Sequence, residues 1–351
     1  LVQHELLKSM ALDTDGKCAA NSVCAVGDED QSIYSWRGAE ATNMNAFQKD
    51  FAPTKLIKVE QNYRTVQPIL EGANALISNN TKRNEKTLWS ARKANKRIVQ
   101  IECQSGYQEA ELIPMLIQQL PKKLELHDVA ILYRTHFQSR IIEEKLIRNS
   151  IPYNIVGGIR FYERKEIKDL LAYLRLFVNP FDKISLSRII NCPNRGLGDK
   201  FEQQLEEEWS KNPLLNFKQI IRHLIENPEY RISGIKQKSL LEFIQIFDHK
   251  KSVEPPHIAA QHVLTETEYL SYLKKAYDDN EANTKTENIR EFIGSMEHLS
   301  SETTLETFLY EVALLQDKLN ESDSKSDQVQ LMTLHAAKGL EFDTIIMAGL
   351  E

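Results

Sequence analysis

Through residue 178, short β-branched apolar runs alternate with stretches whose apolar residues recur every three or four positions. The runs at 22–26, 55–59, 97–102, 128–133 and 153–156 predict strands; the stretches 109–120, 138–148 and 163–176 predict amphipathic helices. Strand alternating with helix predicts an α/β fold with a mainly parallel sheet. From 179 to 326 the alternation stops and helical spacing takes over, at 186–190, 201–209, 217–225, 237–247, 258–264, 286–299 and 305–319. The acidic stretch 320–327, NESDSKSD, has the composition of a linker. The strand pattern then returns at 329–334 and 344–347, around a glycine-containing turn. This order predicts a helical domain inserted into an α/β domain that continues after it. The alternative is two sequential domains with a C-terminal hairpin.

The chain of 351 residues is long enough for two domains, and 41% hydrophobic residues exclude a largely disordered one. No apolar run approaches the roughly eighteen residues of a membrane span. The net charge of −6 excludes binding of nucleic acid by total charge, so any such site is local. Cys18, Cys24, Cys103 and Cys192 make no CxxC pair, which predicts reduced thiols and a cytoplasmic protein; Cys18 and Cys24 read as small buried groups. The nine histidines show no metal-ligand spacing, and no metal site is expected. LVQHELLKSMAL reads as a helix already under way, and TIIMAGLE ends at a strand tip, so the chain reads as a piece of a longer protein.

Three segments concentrate chemistry. In VGDEDQSIYSWRGA, residues 26–39, a strand-like run ends in a glycine, acids, an amide, two aromatics and an arginine. Ligands of parallel sheets sit beyond such strand ends. Gln31 suits a phosphate oxygen or a water, Tyr34 and Trp36 offer faces for unstacked bases, and Arg37 suits a phosphate. A polar loop with its aromatics folded onto the core explains the same composition. EQNYRT, residues 60–65, sets Tyr63 beside Arg64, a ring for a base and a guanidinium for phosphate charge. TLHAAKGLEF, residues 333–342, presents Thr333, His335, Lys338 and Gly339, with Glu341 able to accept from a ribose hydroxyl; a plain helix cap explains its lysine and glycine equally.

In this order the three segments resemble motifs III, IV and V of superfamily 1 DNA helicases of the UvrD/Rep/PcrA type. ILYRTHFQSRIIEEKLI, IPYNIVGGIRFYERKEIKDLLAYLRL and NRGLGD also match that family's pattern. The resemblance implies RecA-like motor lobes of the P-loop NTPase kind. Residues 1–60 would be the C-terminal part of subdomain 1A, 61–178 and 327–351 the two parts of subdomain 2A, and 179–326 the all-helical subdomain 2B. It also implies roles. Gln31 would sense the γ-phosphate, Tyr63 would stack on adenine, Arg64 would contact the γ-phosphate, and Glu341, with Gly339 beside it, would hold the ribose. Tyr34, Trp36, Arg37, Thr333 and His335 would contact single-stranded DNA. The cofactor implied is ATP with Mg²⁺; the partners are single-stranded DNA, a duplex junction and repair proteins, with no membrane.

Two further features need weighing. Arg195-Gly196-Leu197-Gly198-Asp199 precedes a predicted helix, where glycines let main-chain amides approach a duplex phosphate; a tight turn with Asp199 as cap accounts for it as well. Residues 81–97 carry seven basic side chains against Glu85, either a phosphate track or a solvated loop. The sequence holds no GxxxxGK[ST] phosphate loop, no DExx segment that would hold Mg²⁺, and no motif VI arginine after motif V. Two functions follow: part of an ATP-driven 3′-to-5′ DNA helicase, inactive by itself, or a non-catalytic DNA-binding module on the same scaffold.

Overall fold

The computed structural model describes residues 2–12, 23–34, 43–81, 83–92, 97–248, 254–322 and 327–350. They form two compact units, 1–102 and 103–351, and each is described by itself.

In the first unit, helices α1 (Val2–Ala11) and α2 (Asn43–Asp50) meet in a small core of Ala11, Phe47 and Phe51. Their polar edges are tied at Asp50, which takes His4 at 2.9 Å and Lys8 at 3.3 Å. Helix α3 (Gln67–Ile77) starts with Pro68 in its first turn, where a missing N–H costs nothing. Asn74 on α3 holds residue 88 at both main-chain groups, donating to its carbonyl at 2.8 Å and accepting from its N–H at 3.1 Å.

The strands expected at 22–26, 55–59 and 97–102 are not strands where they are described, at 23–26, 55–59 and 97–102. Val26, Val59 and Val99 are 95%, 79% and 79% exposed. Strand propensity reports a fit to a pleated, half-buried surface, and among the described residues these runs have no ladder to lie against. Gln61 and Trp89 form an isolated parallel bridge in this unit. Cys24 lies on this unpacked stretch and is exposed rather than buried, and Cys18 falls outside the described residues.

The second unit is α/β. After α4 (Gly106–Gln118) come β1 (Val129–Tyr133), α5 (Ser139–Arg148), β2 (Tyr153–Ile155) and α6 (Lys165–Val178). Eight helices follow: α7 (Lys183–Ile189), α8 (Asp199–Lys211), α9 (Phe217–Glu226), α10 (Gly234–Ile246), α11 (Pro256–Thr267), α12 (Tyr269–Ala276), α13 (Asp279–Glu297) and α14 (Leu305–Ser322). The chain then returns to β3 (Val329–Thr333) and β4 (Thr344–Met347). The four strands form one parallel sheet in the order β2-β3-β1-β4.

β3 and β4 are thus not a hairpin, because β1 lies between them. Ile131 stands opposite Leu331 on one side and Ile346 on the other. The helical stretch is flanked by segments of a single sheet. β1 reads VAILY because it is buried on both faces. Ile131 and Tyr133 face the main core, whereas Ala130 and Leu132 join Met332 and Phe342 on the other side.

The expected helices are present with shifted ends, and their caps explain where they begin. Thr135 and Gln138 form a capping box ahead of α5, Asn216 and Gln219 another for α9, and Asp182 and Asp278 cap α7 and α13. Helix α12 has no counterpart in the apolar spacing; Glu268, in the left-handed region at φ 48°, turns the chain out of α11 and into it. Helix α14 runs into the stretch read as a linker, to Ser322. Tyr173 and Phe177 of α6 pack with Phe243 and Phe247, and Phe217 joins them. Each such ring contributes about 1.5–3 kcal/mol by burial.

Candidate functional site

Gln31 ends a short 3₁₀ turn, Glu29–Gln31, capped by Asp28, whose carboxylate accepts from the Asp30 N–H at 3.1 Å. Gln31 Nε2 donates to Asp28 Oδ2 at 2.6 Å. The acids of this turn are gripped from another segment. Arg83 meets both oxygens of Asp30 at 2.9 and 2.7 Å, and Lys86 reaches Asp28 at 2.6 Å and Asp30 at 3.0 Å. Asn84 donates to Glu29 through its main-chain N–H and, at 2.9 Å, through Nδ2. The bond to Arg83 is the main cause that holds the Asp30 carboxyl below its ordinary range. Burial opposes the charge on Lys86, but Asp28 and Asp30 outweigh it and raise its pKa.

These pairs take Arg83 and Lys86 out of the phosphate track or solvated loop read at residues 81–97. Arg83 and Lys86 neutralise acids of the same unit, and Lys82 and 93–96 lie outside the described residues. Tyr34 is half-buried. Trp36 and Arg37 lie outside the described residues.

Tyr63 and Arg64 sit on a turn closed by Asn62, whose Oδ1 accepts from the N–H groups of Arg64 and Thr65, both at 2.9 Å. The turn leaves both side chains at the surface, with Tyr63 74% exposed and its hydroxyl on Gln61 Oε1 at 2.9 Å. Arg92 braces it by donating to the carbonyls of residues 63 and 64. No strand leads into this turn, unlike the expectation from the run at 55–59.

In the second unit Thr333 ends β3 and is buried; its Oγ1 accepts from the Ala336 N–H at 3.2 Å and so shapes the turn that follows. Gly339 in that turn has φ +91°, which a side chain would strain. Glu341 lies just beyond, exposed. His335 Nδ1 stands 3.2 Å from Arg134 Nη1, at the adjoining carboxyl ends of β3 and β1. Arg134 was not among the site residues inferred from sequence. Its signal was its place directly after an apolar strand, but only the pairing of β1 with β3 puts it next to His335.

The Arg195 segment departs from expectation. The Arg195 guanidinium donates to the carbonyls of Ile189, Ile190 and Pro193 at 2.9, 3.1 and 3.2 Å and to the Tyr173 hydroxyl at 2.8 Å, and it lies over the Phe243 ring. It is an internal strut rather than a phosphate contact. The Gly196 N–H is used by Asn194 Oδ1 at 2.8 Å, with Gly196 at φ +71°. The cap of α8 is Gly198, without a side-chain bond, and Asp199 is the first helical residue rather than the cap.

One group of potential metal ligands exists among the described residues. Glu125, His127 and Asp327 place ligand atoms within 4.8 Å of one another at the surface. Hydrogen bonding accounts for it: Asp327 accepts from the His127 N–H at 2.8 Å and meets its ring at 3.3 Å. A separation of 200 residues hid this group from any reading of local spacing. No described helix is long and apolar enough to cross a membrane.

The second unit is a parallel sheet interrupted in the chain by helices. Comparison with known sequences supplies the family: the chain belongs to the UvrD-like helicase family, whose C-terminal domain profile matches residues 57–351, while the UvrD/REP helicase N-terminal domain profile matches residues 1–52. Among its relatives are the ATP-dependent DNA helicase PcrA of Bacillus subtilis, 40% identical over 345 residues that cover 94% of this chain and 46% of that protein. DNA helicase II of Rickettsia typhi is 37% identical over 333 residues, 94% of this chain and 50% of that protein. PcrA of Staphylococcus aureus is 37% identical over 350 residues, 94% and 46%. The chain spans about half the length of the curated relatives it matches.

Proposed function

We propose that the protein to which this chain belongs is an ATP-driven helicase and translocase that moves 3′-to-5′ on single-stranded DNA and opens duplex DNA at a junction, in repair or replication restart in the cytoplasm. The observation that carries this reading is the exposed Tyr63–Arg64 turn in a chain of this family, a built presentation of ring and guanidinium for which a pure scaffold has no use. In this reading residues 1–60 belong to subdomain 1A, 61–178 and 327–351 to 2A, and 179–326 to 2B. Tyr63 stacks on adenine, Arg64 and Gln31 meet the γ-phosphate, and Glu341 holds the ribose across the turn that Gly339 permits. Tyr34, Trp36, Arg37, Thr333 and His335 line the path of the single strand, and Arg134 beside His335 joins them. Gly196 and Gly198 keep the start of α8 open to a duplex phosphate, while Arg195 holds the loop from inside.

ATP would be bound with Mg²⁺, which supplies charge neutralisation on the phosphates. The acids nearest Gln31 do not fit it as ligands, since Asp28 and Asp30 are already paired with Lys86 and Arg83. What these residues do is orient the nucleotide and report its terminal phosphate; tighter DNA binding in one nucleotide state than the other then drives movement. Repair proteins are the natural further partners. The test is ATP hydrolysis by the full-length protein with and without single-stranded DNA, beside the present chain alone. Strong stimulation in the former and none in the latter is expected. A full-length protein that binds DNA but hydrolyses no ATP would overturn the reading.

A further inference from the structure

We propose that Lys86, together with Arg83, is a positioning residue for the nucleotide-sensing loop, acting on Gln31 through the carboxylate of Asp28. This deepens the reading of Gln31 as the γ-phosphate sensor and rests on it.

The geometry is a relay of two short bonds. Lys86 Nζ is 2.6 Å from one oxygen of Asp28, and the other oxygen of the same carboxylate accepts from the Gln31 amide at 2.6 Å. Asp28 therefore fixes the sense of the Gln31 amide, drawing its Nε2 back and turning its Oε1 away from the acid. An unpaired Asp28 would not serve. A mobile carboxylate accepts from water as readily as from Gln31, and its charge repels a phosphate; the ammonium removes both faults.

Arg83 supplies the register. Its fork takes both oxygens of Asp30, and the two side chains are only 10% and 13% exposed, so the pair is shielded from the screening that weakens surface ion pairs. Asn84 takes both oxygens of Glu29. Each of three consecutive acids in one turn thus meets a donor from the segment 83–86, a fit no single surface ion pair provides. Both segments lie in the first compact unit, so the relay acts within it.

The test uses the full-length protein with Lys86→Met, Arg83→Gln and the conservative Lys86→Arg. We expect Lys86→Met to lower kcat of DNA-stimulated ATP hydrolysis about tenfold while KM for ATP stays within about twofold, the mark of a misplaced group rather than lost binding. Lys86→Arg should restore most of kcat. As a readout apart from turnover, the ratio of single-stranded DNA dissociation constants with and without a non-hydrolysable ATP analogue should collapse toward one in Lys86→Met and Arg83→Gln. Unchanged kcat and unchanged ratio would overturn the inference. So would losses that track a lowered melting temperature and are not restored by Lys86→Arg, since these mark a merely structural ion pair. Failure of the underlying reading shows separately, as absence of DNA-stimulated hydrolysis in the unsubstituted protein.

Discussion

Arg195 donates a 2.8 Å hydrogen bond to the hydroxyl of Tyr173, and the same guanidinium satisfies three main-chain carbonyls at the end of α7 and the turn beyond it. Asn191 completes the turn, accepting from the N–H of Arg195 at 2.8 Å and of Leu197 at 3.3 Å. An arginine in a glycine-rich loop here builds the loop. Its removal takes this donor from the carbonyls of Ile190 and Pro193, while that of Ile189 keeps the Cys192 N–H at 3.0 Å.

Arg195→Ala is accordingly expected to cost about 2–4 kcal/mol of stability, read as a shift in urea midpoint, with Arg195→Lys recovering little because one ammonium cannot span the carbonyl cage. A loss of duplex affinity with unchanged stability would show instead that the side chain reaches out to DNA.

Tyr63 carries no burden in the core. Tyr63→Ala should leave the melting temperature within about a degree or two of the parent. It should weaken ATP binding by about 1–3 kcal/mol, the usual worth of a base on an aromatic face. Equilibrium binding of a fluorescent ATP analogue measures it; unchanged affinity would remove Tyr63 from the site.

Arg134 sits where the carboxyl ends of β1 and β3 meet, next to His335. Arg134→Ala is expected to weaken single-stranded DNA binding at every sequence alike. It should also reduce the dependence of log affinity on log salt by about 0.7, one phosphate contact on a single strand. A salt dependence equal to the parent's would place the DNA elsewhere.

His136 follows β1 and is half-buried. Burial first, and the Arg164 charge second, push its pKa below the ordinary histidine value. The unfolded chain then binds the proton more readily than the folded one. Its contribution to stability is therefore present above the ordinary pKa of about 6.5 and is lost as pH falls through the lowered folded value. The difference in urea midpoint between the parent and His136→Gln should change with pH in that window and be flat above it. An unchanged difference across the window would mean that the ring titrates alike in the folded and the unfolded chain.

What the sequence disclosed was what local patterns encode. The run at 128–133 was legible because a central parallel strand must be apolar on both faces, and the edge strand 344–347, half-exposed at Ile345 and Met347, was legible from its short apolar run. The runs at 55–59 and 97–102 have the same β-branched composition and are not strands here, since pairing is a property of neighbours. Gln31, Tyr63 and Thr333 could be picked out because motif residues lie together in the chain. Lys86 on Asp28 and Arg134 on His335 could not, because 58 and 201 residues separate the partners. Charge counting could not place Arg83, because a count of basic residues does not say which ones already hold a carboxylate.

The central claim is most directly tested by unwinding. With ATP and Mg²⁺, the full-length protein should separate a duplex that carries a 3′ single-stranded tail and leave a blunt or 5′-tailed duplex intact. Binding of the tailed duplex with no ATP-dependent separation would contradict the account and leave a DNA-binding scaffold.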